Sequence, residues 1–221
     1  MALDLAVVRG YLERVDTTAI CDAAKQTRVL SDALRCRSRE PRLCGPAFTV
    51  RCRDDFFPVA RAVELAAPGS VIVVDGGGGT TALGGELFAR AAWVRNLAGL
   101  VVDGGYRDLG YVASCPLPVY SRQVTPMAGS AKRLGELQVR ISCGGVPVSP
   151  GDLVIADIEG IVVLDPATAI DVLAAAAEVK ATESRAITSL ERGGTLLDCL
   201  NVTEHTERLE QGEPTTLRFT V

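Results

Sequence analysis

A chain of 221 residues with 48% hydrophobic content can bury one substantial core, and no stretch approaches the roughly 18 consecutive apolar residues of a membrane-spanning helix. The N-terminus lacks both a basic n-region and an apolar h-region, so no signal peptide is expected. A net charge of −4 argues against nucleic acid as a partner, and seven cysteines without a Cys-x-x-Cys read as reduced thiols of a cytoplasmic protein, not as a disulfide framework or zinc site.

Apolar residues at Leu5, Val8, Leu12 and Val15 have helical spacing, and Asp16-Thr17-Thr18 supplies an N-cap for a second short helix through Cys21 and Ala24. Residues 46–53 read as a strand, and Asp55–Ala67 as a helix stopped by Pro68-Gly69. Ser70–Asp75 is a buried strand and Gly76–Gly79 a turn. A helix is expected over Thr81–Asn96, with Leu83, Leu87, Ala91 and Val94 on one face. Leu100–Asp103 is the next strand, feeding an Asp-Gly-Gly turn, and Val119–Ser121 another.

The texture changes at Val139. From there to Leu164 short β runs are broken by Gly144-Gly145, Pro150-Gly151 and Glu159-Gly160, the pattern of antiparallel hairpins. Pro166 at a helix N1 position opens a long Ala-rich helix to Arg192, closed by Gly193-Gly194. The tail, residues 193–221, is ambiguous, with Leu217–Val221 a candidate last strand. No repeat or linker appears, so the chain reads as one α/β domain over residues 1–221, with its core at 15–192. Seven arginines crowd residues 28–53, as a solvated or subunit-contacting face or as an anion-binding patch.

Several chemistries fail early. The single histidine, His205, sits in the polar tail, and no G-x-S-x-G accompanies it, so a Ser-His-Asp triad and histidine metal sites lack their parts. Lys25, Lys132 and Lys180 are the only lysines, none in a setting that suggests a desolvated Schiff-base pocket. Gly77-Gly78-Gly79-Thr80-Thr81-Ala82 satisfies a dinucleotide fingerprint after a strand, yet the β-rich half beyond residue 139 does not continue a doubly wound sheet. A tight turn with close backbone approach explains it equally.

Carboxylates remain. Glu86 is followed by twenty residues and then Arg107-Asp108. The buried run Leu100–Val102 delivers that guanidinium and carboxylate to a strand's C-terminal edge, where α/β proteins tend to bind ligands. A carboxylate can hold a hard cation, and an adjacent arginine an oxyanion. Asp103 either shapes the turn or joins this site.

An acid, twenty residues and Arg-Asp, together with the blocks Leu43–Arg51, Val73–Gly77 and Gly144–Val154, resemble the metal-dependent pyruvate aldolases. These act on 4-hydroxy-4-methyl-2-oxoglutarate and 4-carboxy-4-hydroxy-2-oxoadipate, and have non-enzymatic relatives, the regulators of ribonuclease activity A. The resemblance covers roughly residues 15–192. It implies a mixed α/β fold with a central, sandwich- or barrel-like β core flanked by helices, assembled as a homotrimer or homohexamer. It implies Mg2+ or Mn2+, no organic cofactor, and cleavage of an α-keto acid to pyruvate, with oxaloacetate decarboxylation by the same chemistry. By position, Asp108 would be the direct metal ligand. Glu86 would act through a water, as would Glu183 from a neighbouring subunit. Arg107 would bind the keto oxygen, and the amides of Leu87 and Phe88 would cradle the substrate carboxylate. The cradle requires a helix start nearer Gly84-Gly85 than Thr81. The family's first acid is usually Asp, and here it is Glu86. The non-enzymatic relatives typically lose the acid of Arg-Asp, which Asp108 retains.

Overall fold

The structure, a computed structural model, describes residues 3–221. Two helices open it, α1 (Leu5–Leu12) and α2 (Thr17–Ala23), each started by an aspartate side chain. Asp4 accepts from the Ala6 and Val7 amides, and Asp16 from the Ala19 amide, satisfying donors the helix itself cannot. There follow β1 (Arg28–Val29), β2 (Arg35–Cys36), β3 (Leu43–Arg51), α3 (Phe57–Leu65), β4 (Val71–Asp75), α4 (Glu86–Val94), β5 (Gly99–Tyr106), α5 (Leu109–Val112) and β6 (Val119–Val124). The second half comprises β7 (Glu136–Leu137), β8 (Ile141–Cys143), β9 (Val146–Val148), β10 (Leu153–Ala156), β11 (Ile161–Leu164), α6 (Ala169–Glu191), a 3-10 turn at Leu197–Cys199, and α7 (Val202–Glu210).

The main sheet has the order β1-β11-β10-β3-β4-β5-β6-β2, with β7 also against β3, and it curls into a half-barrel flanked by helices. β3 serves two partners in succession. Leu43–Pro46 pairs antiparallel with β10, and Ala47–Arg51 parallel with β4, so the strand joins the hairpin region to the parallel layer. β4 and β5 are buried along their whole length, as expected of parallel strands covered on both faces. Their alternate side chains enter different cores. Ile72, Val74, Leu100 and Val102 pack with Val59, Ala62, Ala89 and Ala92 of α3 and α4. Val71, Val73 and Val101 pack with Ile141, Val148, Val154 and Ile161 of the hairpins. A third cluster joins α1, α2 and α6 to β10 and β11 through Val8, Ile20, Leu153, Val162 and Leu173. Complete burial of a side chain such as Leu173 contributes roughly 1.5–3 kcal/mol.

The antiparallel character of the region 139–164 is observed, and several boundaries differ from expectation. α4 starts at Glu86, not Thr81. The preceding backbone is committed elsewhere: the Ala82 amide donates to the Met127 carbonyl at 2.7 Å and the Leu83 amide to the Gly105 carbonyl at 2.9 Å. Gly104 and Gly105 do not turn the chain. β5 runs through them to Tyr106, with a register shift against β6 between Val102 and Gly105. They are glycines for close approach, since a Cβ on Gly105 would lie 2.6 Å from the Thr81 carbonyl oxygen. Pro166 lies outside α6, which begins at Ala169 after a turn in which Asp165 accepts from the Ala167 amide. The tail is helical through α7, and Leu217–Val221 forms only an isolated bridge, Leu200 with Phe219.

Candidate active site

The loop from β4 to α4 and the end of β5 meet at the carboxyl edge of the parallel strands. Gly84 and Gly85 permit this. A Cβ on Gly84 would stand 2.6 Å from the Tyr106 ring, and one on Gly85 would be 2.9 Å from Arg107 Cγ and closer still to Asp108 Oδ2. The Tyr106 hydroxyl donates to the Gly85 carbonyl at 3.0 Å, and the Arg107 amide to that of Gly84 at 3.1 Å. Burial pushes the Tyr106 phenol far above its ordinary range, so it stays a neutral donor.

Asp108 takes a left-handed backbone, φ 61°, two residues past the end of β5. Aspartate tolerates this conformation better than most residues, and the kink turns its carboxylate back toward α4. Oδ2 accepts from the Glu86 amide at 3.0 Å and lies 3.6 Å from Arg107 Nε. Leu87 and Phe88 occupy the first turn of α4, so their amides have no intrahelical acceptor, and the positive end of the helix faces the same space. A cavity of about 200 Å³ results, lined by Gly85, Leu87, Phe88, Arg107, Asp108 and, on its apolar side, Phe56. Phe56 and Phe88 meet edge to face with centroids 6.0 Å apart. A larger open groove of about 460 Å³, beside α1, is lined by none of Glu86, Leu87, Phe88, Arg107, Asp108 and Glu183.

The structure thus brings Arg107, Asp108, Leu87 and Phe88 to one cavity. Glu86 falls between the lining residues Gly85 and Leu87 but does not itself line the cavity, its carboxylate being engaged by Arg90 Nε at 2.7 Å. Glu183 lies on α6, paired with Lys180 at 2.8 Å, and does not line the cavity of its own chain. Lys180 also reaches Asp16 at 3.1 Å. Asp103 is not part of the site: it accepts from the Gly144 amide at 2.7 Å and pairs with Arg122, tying the β8–β9 hairpin to the sheet. The amides of the glycine turn are spent internally, Gly77 on Asp75 Oδ1 and Gly78 on the Asp103 carbonyl, and no helix follows until Glu86. That removes the basis for a dinucleotide site. Within the arginine-rich stretch Arg28 pairs with Asp152, Arg37 binds Ser121, and Arg51 and Arg53 flank Asp75, while Arg35, Arg39 and Arg42 are exposed. Phe56, Arg90 and Tyr111 were not singled out by sequence reasoning. Only Arg90 carried a signal, its four-residue spacing from Glu86.

The donor set suits a hard cation. Asp108 Oδ2 is occupied, while Oδ1 has no protein partner among the described residues. No group of three His, Cys, Asp or Glu side chains converges among the described residues.

The family described as RraA-like, Aldolase/RraA, matches residues 17–163. The chain belongs to that family. A protein of Halalkalibacterium halodurans, provisionally named 4-hydroxy-4-methyl-2-oxoglutarate aldolase, is 36% identical over 152 residues, 68% of this chain and 72% of its own. A Thermus thermophilus protein named 4-hydroxy-4-methyl-2-oxoglutarate aldolase is 33% identical over 150 residues, 67% of this chain and 91% of its own. Among solved structures, Streptomyces coelicolor RraAS2, described as an unusual member of the RNase ES inhibitor RraA family, superposes with a TM-score of 0.72. It is 28% identical, covering 83% of this chain and 96% of its own. No helix among the described residues is long and apolar enough to cross a membrane.

Proposed function

We propose that this RraA-like chain is a divalent-metal-dependent carbon–carbon lyase that splits 4-hydroxy-2-oxo acids into pyruvate and a keto or aldehyde fragment. The observation that carries this reading is the convergence of Arg107, Asp108 and the unbonded first-turn amides of α4 in one small cavity. The names of the two aldolase relatives support it.

Asp108 and Glu86, with Glu183 of a neighbouring copy, would hold Mg2+ or Mn2+, which supplies Lewis-acid polarisation when bound. The Leu87 and Phe88 amides receive the substrate carboxylate at the positive helix end. The Arg107 guanidinium faces the C2 keto oxygen. When the C3–C4 bond breaks, its electron pair passes into the C2–C3 bond and negative charge grows on that oxygen, where a planar cation stabilises it most. The C4 hydroxyl loses its proton to a water in the cavity, and C3 regains one to yield pyruvate. Oxaloacetate would lose carbon dioxide through the same charge distribution.

A second reading, a non-catalytic regulator, is supported by the description of the Streptomyces relative as a ribonuclease inhibitor family member. One experiment separates the two. Pyruvate release is measured over a panel of 4-hydroxy-2-oxo acids with Mg2+ and with EDTA. The lyase reading expects release that EDTA abolishes; no release from any acid at any metal concentration leaves the regulator.

A further inference from the structure

The first acid of the Glu86…Arg107-Asp108 motif is held by a neighbour on its own helix. The side chain folds along α4, and Oε1 accepts from Arg90 Nε at 2.7 Å, one turn away. The Arg90 guanidinium carbon sits 3.8 Å from the centroid of the Tyr111 ring. Tyr111 belongs to α5, which begins immediately after Asp108, and the Cys115 thiol lies 3.7 Å from its hydroxyl. The Glu86 amide, in turn, donates to Asp108 Oδ2. The contacts therefore form a closed ring: Asp108, α5, Tyr111, Arg90, Glu86, and back to Asp108.

An i, i+4 ion pair on an exposed helix contributes little by itself and calls for no functional account. Two features set this one apart. The guanidinium is fixed on its second side by an aromatic face well within the roughly 6 Å range of a cation–π contact. The ring also joins the two segments that carry both acids of the Glu86…Arg107-Asp108 motif.

We infer that Arg90 is a positioning residue for Glu86. It holds Oε1 and leaves Oε2 without a protein partner among the described residues, available to the waters around an ion at Asp108. Without Arg90 the carboxylate samples several rotamers, and the site loses a fixed acceptor. Partners that orient such acceptors typically affect metal affinity by about 10–100-fold. The pair is half-exposed, so the low end applies.

This inference rests on the metal-dependent lyase reading, and its test separates the two. Mn2+ binding to the full-length protein is measured by loss of the free-ion paramagnetic resonance signal, beside pyruvate release titrated with Mg2+. Arg90→Gln should weaken Mn2+ binding about tenfold and raise the Mg2+ concentration for half-maximal release by a similar factor. Tyr111→Leu should act in the same direction, and Arg90→Lys should lie between, since an ammonium keeps charge but not the flat stack. Arg95→Gln, which breaks an ion pair with Glu64 beyond the end of α4, should leave Mn2+ binding at the wild-type level. Wild-type Mn2+ binding in folded Arg90→Gln makes Arg90 a surface ion pair and overturns the inference. Wild-type binding in Asp108→Ala overturns the metal site itself, and the inference with it.

Discussion

Replacing Gly85 with alanine tests the geometry of the site with one carbon atom. Gly85 has φ −171°, an extended conformation open to any residue, so the substitution carries no backbone strain. Its cost is contact. The added Cβ would stand 2.9 Å from Arg107 Cγ and 3.2 Å from Asp108 Cγ, with Asp108 Oδ2 nearer than either. Ordinary contact requires about 3.5 Å or more, so the Arg107-Asp108 pair must retreat by roughly 1 Å at its closest point. Overpacking of this kind costs about 1–3 kcal/mol, and about 2 kcal/mol corresponds to a melting shift of roughly 4–8 °C in a chain of this size. A displacement of about 1 Å in catalytic groups can cost on the order of 10²-fold in rate, or about 2.7 kcal/mol in the barrier. Gly85→Ala should therefore remain folded but lose metal-dependent pyruvate release about a hundredfold. Gly110→Ala on α5, where a Cβ meets nothing within 4 Å, is the control and should be neutral or slightly stabilising. Wild-type turnover in Gly85→Ala, with an unchanged magnesium requirement, would show that the placement of Asp108 beside α4 has no bearing on catalysis.

Arg107→Lys keeps the charge but loses the planar fork, and should lower kcat by about 10²–10³-fold; a raised KM at unchanged kcat would instead mark Arg107 as a uniform binder. Asp55 is buried, and although burial alone would raise its pKa, hydrogen bonds from Ser130 and from the Lys132, Phe57 and Arg133 amides hold it below the ordinary range. Asp16 is likewise held to about 2 against its own desolvation, by Thr18, the Ala19 amide and Lys180. Both folded values are depressed, so their stabilisation is complete above about pH 4 and is lost as pH falls through the folded values. Asp55→Asn should lower stability by about 2–3 kcal/mol at neutral pH and flatten the fall of melting temperature below about pH 4; equal slopes in variant and wild type would refute that account. Mixing Glu183→Ala with Asp108→Ala subunits should restore part of the activity each lacks alone, and no rescue between subunits shown to have exchanged would leave Glu183 outside the site.

Much of this molecule was written in local pattern. The all-apolar run Val71–Val74 and the run Leu100–Val102 are β strands because only a layer covered on both faces suits such segments. Asp16 marks a helix start by capping chemistry that acts within a few residues. The spacing from Glu86 to Arg107-Asp108 likewise pointed to the groups that meet at the cavity. Three-dimensional contact decided the rest. Helical periodicity alone began α4 at Thr81, but hydrogen bonds from Ala82 to Met127 and Leu83 to Gly105, partners distant in sequence, outweigh that local preference. Gly104-Gly105 looks like a turn in one dimension and is extended strand in three, because Leu83 and Thr81 pack where side chains would otherwise stand. The same nonlocal packing moves the start of α4 to Glu86 and leaves the amides of Leu87 and Phe88 unbonded. A periodicity within one segment carries no information about which distant backbone will compete for its hydrogen bonds, and that competition opened the cavity.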